Sequence, residues 1–476
     1  MNTFVNSAMA PNMTTTTNGM AALDKTGSKL VDLFFSIGSA RNNPEIAKTF
    51  FTAFGENKLL AMKCLFWARD VRGGAGERQT FRNILVELEN VDLTSVLKNM
   101  KLIPEFGRFD DLLVFTNVHA RKLALKVFGD AILAGNGLAC KWAPRKGNDA
   151  VALTKQLGLS PKQYRKLIVQ GSNTVEQKLC AQEYSQIEYS KLPSIAAARY
   201  QNTFNKHDLD RYTQYKEALK SGDAKINANA IFPHTIVKSV FHGDSEVASA
   251  QWEALPNYVG DKKILPVSDV SGSMTCSAGG NTTCMDVSIA LGLYLAAKNT
   301  GPFKDLICTF NSEPEFVKPE GDLATKVAQL QNAPWGGSTN IEKTFELILG
   351  KATEGNAKQE DMPEYVVILS DMQFDQATRN YGSFRSVSQG YNPTALEMIR
   401  HKYEVAGFSM PVLVFWNLNA SYGNAPATSS ENGIVMISGF SPSIMKAVLA
   451  MDIDSISPYS MMMSVLDSDR YSMVTV

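Results

Sequence analysis

Apolar positions in the first half of the chain recur at helical spacing. The stretches SKLVDLFFSIG, PEIAKTFFTAFGENKLLAMKCLFWARD and ERQTFRNILVELEN place apolar residues three and four positions apart, as amphipathic helices do. Proline and glycine interrupt this pattern at Pro44, Gly73, Gly74, Pro104 and Pro144, and strand-like alternation does not separate the segments. From about residue 28 to 250 we therefore predict an all-helical region, either a bundle or stacked, HEAT-like helix pairs.

The pattern changes after Gly260. Short apolar runs such as KKILPVSDV, EYVVILSDM and MPVLVFWNL alternate with helical segments such as MDVSIALGLYLAAKN and NIEKTFELILGKA. Apolar strands separated by helices indicate a parallel sheet covered on both faces. The predicted fold class is thus α + α/β, with a helical-repeat domain followed by a doubly wound, Rossmann-like parallel-sheet domain.

These patterns give four predicted segments. Residues 1–25 are rich in Asn, Thr and Met without apolar periodicity, which is typical of a disordered tail. Residues 26–255 form the helical domain, and residues 260–451 form the sheet domain. Residues 452–476 form a C-terminal segment whose methionine cluster packs on the helical domain or makes an interface.

Composition indicates a folded protein of a reducing compartment. The 476 residues are 44% hydrophobic and 20% charged, which is ordinary for globular domains. The six cysteines include no CxxC pair, so a disulfide scaffold and a structural zinc site are not expected. The sequence shows neither a secretory signal pattern nor an apolar run of about 18 residues, so we expect a cytoplasmic protein without a membrane partner.

The net charge of zero conceals two different halves. Residues 1–260 carry 32 Lys or Arg and 24 Asp or Glu, whereas residues 261–476 carry 15 and 23. A basic surface attracts polyanions, and an acidic one suits cations or basic partners. The alternative is that the imbalance has no function.

Oxygen-bearing side chains follow the predicted strands of the second half. Asp269, Ser271 and Ser273 come after the first strand, Thr339 lies in WGGSTN before a helix, and Asp371 ends VVILSDM. Because the carboxyl ends of parallel strands meet at one edge, we expect these residues to lie together. Two carboxylates and three hydroxyls favour Mg²⁺, with Mn²⁺ or Ca²⁺ as alternatives, over zinc. A cation with so few charged ligands would take an external carboxylate or phosphate oxygen.

This set resembles the metal-ion-dependent adhesion site (MIDAS) of von Willebrand factor A domains, which combines D-x-S-x-S, a later threonine and a strand-ending aspartate. The resemblance implies that fold and a metal site for the second domain. One departure is the insertion TCSAGGNTTC, residues 275–284, before the helix that usually follows the motif at once. We expect a flexible loop there, with Cys276 and Cys284 as two free thiols.

The helical half contains basic and aromatic stretches that suit nucleic acid. Arginine beside aromatic surface favours phosphate contacts and base stacking. The alternative is that Asp70, Glu77, Asp110 and Asp111 hold the arginines in salt bridges between helices. A nucleotide loop is not indicated, because GGAGERQT lacks the spacing of a P-loop and follows a helix.

The order of domains, with GRFDDLLVF, CKWAPRKG and IFPHTIV, resembles the Ro ribonucleoprotein family and its TROVE module. RDVRGGAGER resembles an uncharacterised branch in plants, fungi and viruses. The resemblance implies a ring of helical repeats closed by the A domain, which binds noncoding or misfolded RNA. The residues to which it assigns RNA contacts are Arg72, Arg78, Lys141, Arg145, Lys146, Lys206, His207 and Arg211; for His207, a buried histidine is the alternative.

We find no catalytic set, because HExxH, G-x-S-x-G and strand-associated GxGxxG motifs are missing. We therefore expect a binding protein and not an enzyme. The first hypothesis is an RNA-binding ribonucleoprotein component. The alternative is a protein-interaction or assembly module that grips an acidic side chain of a partner through the metal site, and a component of a viral particle is a third.

Overall fold

The computed structural model describes residues 12–41, 43–242, 245–279, 281–311, 313–332, 339–376, 393–421 and 423–476. The chain divides into two compact units, and both are discontinuous in sequence. The sheet unit comprises Met1–Glu56, Phe232–Val237 and Asn257–Val465. The helical unit comprises Asn57–Ile231, Lys238–Pro256 and Leu466–Val476.

The strands of the described residues are β1 Met13–Thr15, β2 Ala21–Leu23, β3 Ile264–Asp269, β4 Ser277–Gly279, β5 Thr282–Thr283, β6 Ile307–Phe310, β7 Phe316–Val317, β8 Tyr365–Ser370, β9 Val412–Asn417 and β10 Ile434–Ser438. The α-helices are α1 Lys29–Ile37, α2 Ile46–Glu56, α3 Lys58–Arg69, α4 Gln79–Val91, α5 Leu93–Asn99, α6 Ile103–Phe106, α7 Val118–Leu133, α8 Gly137–Trp142, α9 Asn148–Gln156, α10 Pro161–Ser172, α11 Val175–Cys180, α12 Ser194–Arg199, α13 Gln201–His207, α14 Leu209–Ser221, α15 Pro233–His242, α16 Ser245–Glu253, α17 Cys284–Lys298, α18 Leu323–Gln331, α19 Ile341–Glu354, α20 Ala395–Ala406, α21 Ile444–Leu449 and α22 Pro458–Leu466.

The sheet unit is built on a six-stranded sheet with the order β10-β9-β8-β3-β6-β7. Its first five strands pair in parallel, and β7 pairs antiparallel with β6 at the edge. Because β3 is flanked by β8 and β6, the chain reverses its direction of winding at β3. The side chains that follow β3 and β8 therefore share the carboxyl edge of the sheet, where ligands bind in open α/β sheets.

Helices cover both faces of this sheet. On one face, Phe345 of α19 and Ile399 of α20 join a buried apolar cluster with Val267, Ile368 and Phe415 of the strands. On the other face, the Ser288 hydroxyl of α17 donates to Leu369 O at 3.3 Å. Helix α1 lies on the first face, because its Phe35 joins the same apolar cluster, and Ser438 of β10 donates to Phe34 O of α1 at 2.9 Å. The predicted fold class is confirmed: a largely helical first half is followed by a doubly wound, mainly parallel sheet.

The division into units differs from the predicted domain boundaries. Helices α1 and α2, which the apolar pattern assigned to the helical domain, belong to the sheet unit. The pattern identifies an amphipathic helix but not the surface that it covers, and α1 packs on β10. Of the predicted tail, residues 1–11 lie outside the described residues, whereas β1 and β2 pair as a hairpin with Met13 opposite Leu23.

The helical unit has aromatic cores. Phe66 packs edge-on against Phe81 at 5.6 Å and Phe106 at 5.4 Å between ring centroids. A second cluster contains Tyr189, Phe204, Tyr212 and neighbouring aliphatic side chains. Within the part of the chain that the structure describes, no helix is long and apolar enough to cross a membrane.

The last residues of the chain are part of the helical unit. Arg470 forms an ion pair with buried Asp70, with Nη2 to Oδ1 at 2.6 Å. The Tyr471 ring stacks on Phe106 at 5.5 Å, and its hydroxyl donates to Asp70 Oδ2 at 3.1 Å. Thr475 and Asn99 exchange two hydrogen bonds. Residues 452–465 belong instead to the sheet unit.

Candidate cation site and basic surface

The structure brings the five predicted metal ligands to the carboxyl edge of the sheet. Asp269 is the last residue of β3, and Asp371 follows the last residue of β8. These strands are parallel neighbours. We call Asp269, Ser271, Ser273, Thr339 and Asp371 the strand-end cluster. All of its members except Ser273 are buried.

Hydrogen bonds fix the first carboxylate. Asp269 Oδ1 accepts from the backbone N–H of Ser271 at 2.9 Å, and Oδ2 accepts from the Ser370 hydroxyl at 2.6 Å. The Ser271 and Ser273 hydroxyl oxygens lie 3.1 Å apart. The turn after β3 thus gathers one carboxylate and two hydroxyls within a few ångströms.

The second carboxylate lies close enough to the first to change its ionisation. Burial, and next the charge of Asp371, raise the pKa of Asp269 to about 7. Burial also raises the pKa of Asp371, although hydrogen bonds from the Gln373 N–H and the Ser273 side chain oppose this shift. Two buried carboxylates that disfavour each other's ionisation create a place where a bound cation lowers the electrostatic energy.

Thr339 joins the cluster through the loop that carries Asp371. Its carbonyl accepts from the backbone N–H of Asp375 at 2.8 Å. Its hydroxyl accepts from the Asn18 side chain at 3.3 Å. The preceding residues of the WGGSTN stretch, 335–338, lie outside the described residues.

The donor set fits a hard divalent cation. Two carboxylates and three hydroxyls offer only oxygen, and Mg²⁺ completes its coordination with water. The residues that would hold the ion are Asp269, Ser271, Ser273, Thr339 and Asp371.

The insertion after the motif forms a short hairpin, β4 and β5. Cys276 and Cys284 flank this hairpin with their sulfur atoms 3.1 Å apart and no disulfide bond. Cys284 also donates its backbone N–H to Cys276 O at 3.0 Å. In the part of the insertion that the structure describes, β4 and β5 thus pair beside the strand-end cluster and are held together at their base.

In the helical unit, the glycine turn after α3 has a structural explanation. A Cβ on Gly74 would lie 1.9 Å from the carbonyl oxygen of Trp67, so only glycine permits this approach. The turn folds back on the helix, since Ala75 and Glu77 donate their N–H groups to Trp67 O and Ala68 O. The glycine at position 74 thus serves the close return of the chain to the end of α3.

The salt-bridge alternative accounts for some arginines near this turn. Arg69 is buried and pairs with buried Asp111 at 2.8 Å, and Arg82 pairs with the same carboxylate at 2.6 Å. Arg72 is exposed and reaches the Glu105 carbonyl at 3.4 Å. Arg78 is exposed as a whole residue. The part of its side chain that is buried, together with the charges of Arg108 and Arg82, lowers its pKa.

The other residues predicted to contact RNA differ in how far their side chains already interact with the rest of the protein. Lys141 pairs with Glu176 at 3.0 Å. His207 stacks on Tyr184 at 5.5 Å and is exposed, not buried. Arg211 donates to the carbonyls of Tyr184 and Ile187 and to Asp208, so its guanidinium holds the loop before α12. Arg145, Lys146 and Lys206 are exposed.

Basic side chains that sequence reasoning missed lie on α10. Lys162, Arg165 and Lys166 are exposed at helical spacings of three and four, opposite buried Tyr164 and Ile168. The Tyr164 hydroxyl donates to Pro144 O at 3.0 Å, which holds the loop with Arg145 and Lys146 against this helix. We call Arg145, Lys146, Lys162, Arg165 and Lys166 the basic surface.

Charge density was the signal that could have found it. Residues 141–175 contain seven Lys or Arg and one acidic residue, Asp149. This short stretch accounts for most of the excess positive charge of the first half.

Comparisons with known proteins match both parts of the chain. A family model described as "Domain of unknown function (DUF7788)" matches residues 263–467. Another, "Domain of unknown function (DUF2828)", matches residues 16–121 and 148–263. An uncharacterized protein of Acanthamoeba polyphaga mimivirus is 29% identical over an alignment 519 residues long. The alignment covers 96% of this chain and 87% of that protein.

Among solved structures, the Deinococcus radiodurans RO (RSR) protein matches with 13% sequence identity and a TM-score of 0.37. That match covers 92% of this chain and 99% of the other.

Proposed function

We propose that this protein binds RNA through the basic surface of its helical unit, in a binding and not a catalytic role. The observation that carries this proposal is the concentration of exposed positive charge on α10 and the adjoining loop. Neutralising phosphates with Lys and Arg releases condensed counterions and supplies most sequence-independent affinity. The Ro-like motifs of the sequence favour noncoding or misfolded RNA as the ligand, in a cytoplasmic setting.

Aromatic side chains near the basic surface add a means of contacting bases. The Arg108 guanidinium lies over the Trp142 ring at 3.6 Å, and Trp142 directly follows Lys141 at the end of α8. An indole ring with a guanidinium over it combines an aromatic surface with positive charge, which suits single-stranded bases. Trp142 is thus a candidate contact that complements the phosphate-binding side chains.

The test is an electrophoretic shift with a structured RNA and a 3′-tailed RNA across a range of salt concentrations. The variant Lys162→Ala/Arg165→Ala/Lys166→Ala should weaken binding and reduce the slope of log K against log salt by about 2 to 3. The matched control Lys48→Ala/Lys351→Ala/Lys358→Ala removes three exposed charges of the sheet unit and should leave affinity unchanged. Equal losses in both variants, or no binding by the parent protein, would contradict the proposal.

We further propose that the strand-end cluster holds Mg²⁺ and makes the sheet unit a protein-interaction module. The observation behind it is the pair of buried carboxylates with neighbouring hydroxyls. A bound cation would supply positive charge to which a partner's acidic side chain adds an oxygen ligand. The variant Asp269→Ala should then abolish capture of such a partner without changing RNA affinity, and capture that persists in EDTA would refute the idea.

A further inference from the structure

The N-terminal hairpin reaches the strand-end cluster. Its turn, residues 16–19, is closed by a hydrogen bond from Gly19 N to Thr16 O at 3.0 Å. Gly19 has a φ of +92°, which glycine adopts without strain. Met20, just after the turn, is fully buried in the sheet-unit core, and Leu23 exchanges two backbone hydrogen bonds with Ala425. The strand that follows the turn is therefore anchored in the sheet unit.

Asn18, at the tip of this turn, contacts two segments that carry candidate ligands. Its amide nitrogen donates to Thr339 Oγ1 at 3.3 Å and to the backbone carbonyl of Gln373 at 2.7 Å. An amide NH₂ has two protons, so one side chain makes both bonds. Asn18 thereby links the start of α19 to the loop after β8.

Gln373, which Asn18 contacts, is also bonded to the Asp371 carboxylate. Its backbone N–H donates to Asp371 Oδ1 at 3.2 Å, while its side-chain oxygen accepts from the Thr17 N–H at 2.8 Å. In addition, the Thr16 hydroxyl donates to Phe374 O at 2.5 Å. Three successive residues of the hairpin thus hold the loop that positions one carboxylate of the cluster.

We propose that the N-terminal hairpin is part of the cation site and that Asn18 is a positioning residue for Thr339 and Asp371. The proposal rests on the cation binding proposed for the strand-end cluster. The hydrogen bond from Asn18 uses one lone pair of the Thr339 oxygen and leaves the second for a cation. Partners that orient ligands in this way commonly govern metal affinity.

The test compares Asn18→Ala with Thr15→Ala, a control on an exposed position of the same hairpin. Mg²⁺ binding to the full chain is measured by titration calorimetry, and Mn²⁺ binding by paramagnetic resonance. Losing hydrogen bonds that organise two ligands should weaken cation binding by roughly three- to tenfold in Asn18→Ala. Thr15→Ala should bind as the parent protein does.

A second readout separates positioning from general stability. Thermal unfolding in EDTA should be nearly the same for Asn18→Ala and the parent, whereas the stabilisation by Mg²⁺ should be smaller in the variant. Unchanged cation affinity in Asn18→Ala, or an equal stability loss with and without Mg²⁺, would overturn the positioning role of Asn18. Neither result would contradict the proposed cation site itself. If the parent protein binds neither cation, the proposed cation site fails and this inference fails with it.

Discussion

Single residues at the sheet edge determine how the protein should respond to a cation. Asp269 and Asp371 are both buried, and ionising both without a counter-charge destabilises the folded state. A cation that binds only the folded state stabilises it by about 2.7 kcal/mol at a hundred times its dissociation constant. We expect the parent protein to unfold at a higher temperature in Mg²⁺ than in EDTA.

The variant Asp371→Asn should lose this dependence on Mg²⁺, because it removes one carboxylate while keeping the shape of the side chain. In EDTA it should be at least as stable as the parent, since the repulsion with Asp269 is gone. Differential scanning calorimetry in both buffers measures the two effects. A Mg²⁺ stabilisation equal to that of the parent would contradict the prediction.

At the residue scale, the arginine network of the helical unit predicts a pH dependence. Burial favours the protonated form of Asp110, but hydrogen bonds from Arg108 and Arg82 outweigh it and lower the pKa. A carboxyl whose folded pKa is depressed contributes stability above its unfolded value of about 4, and this contribution disappears as the pH falls through the folded pKa.

The difference in unfolding free energy between the parent and Asp110→Asn should therefore be largest near neutral pH and vanish in strong acid. Urea titrations followed by circular dichroism from about pH 6 down to about pH 2 measure it. The exposed Asp130, which pairs with Lys126 on the surface, provides the control variant Asp130→Asn, with a smaller effect. A difference that grows toward acid would have the wrong sign.

At the scale of elements, residues 466–476 should contribute strongly to the stability of the helical unit. Tyr471 is 1% exposed, whereas Met473 is 60% exposed. Removing the Tyr471 side chain opens a cavity against Phe106. It also removes the hydrogen bond that the Tyr471 hydroxyl donates to buried Asp70. Tyr471→Ala should lower the free energy of unfolding by about 3 to 5 kcal/mol, as other buried aromatic truncations do.

Met473→Ala is the matched control in the same segment, and its effect should stay within about 0.5 kcal/mol. Chemical denaturation of both variants, monitored by far-ultraviolet circular dichroism, distinguishes them. Equal and small effects would show that residues 466–476 contribute little to the helical unit.

Elements also show what could be predicted from the sequence. The α/β class and the meeting of Asp269 with Asp371 follow from apolar runs that end in oxygen-bearing residues, because parallel strands align their carboxyl ends. The assignment of α1 to the sheet unit could not be predicted, since an amphipathic pattern does not identify the surface that it covers. The Asn18–Gly19 pair, a known hairpin signal, was the available clue to the N-terminal hairpin.

The roles of individual arginines were harder to predict. Arg69 and Arg165 have the same chemistry, but Arg69 is buried against Asp111 and Arg165 is exposed. The partner of Arg69 lies about forty positions away in the sequence, and only the folded chain brings the two together. Local charge density was the better guide to a polyanion surface.

Across the whole molecule, two ligands should act on different parts of the chain. The basic surface lies in the helical unit, and the strand-end cluster lies in the sheet unit. Hydrogen exchange read by mass spectrometry should show slower exchange in residues 141–172 with RNA, and in residues 264–275 and 365–376 with Mg²⁺. RNA protection confined to the sheet unit would contradict the assignment.

The chain order of the two units has a consequence for biosynthesis. The sheet unit needs residues from before and after the helical unit, and the helical unit needs the last eleven residues, Leu466–Val476. On the ribosome, Asp70 and Phe106 emerge hundreds of residues before Arg470 and Tyr471, which cover them. Burial of Asp70 and Phe106 against these side chains must therefore wait until Arg470 and Tyr471 have been translated, so the helical unit is not completed as an early, independent domain.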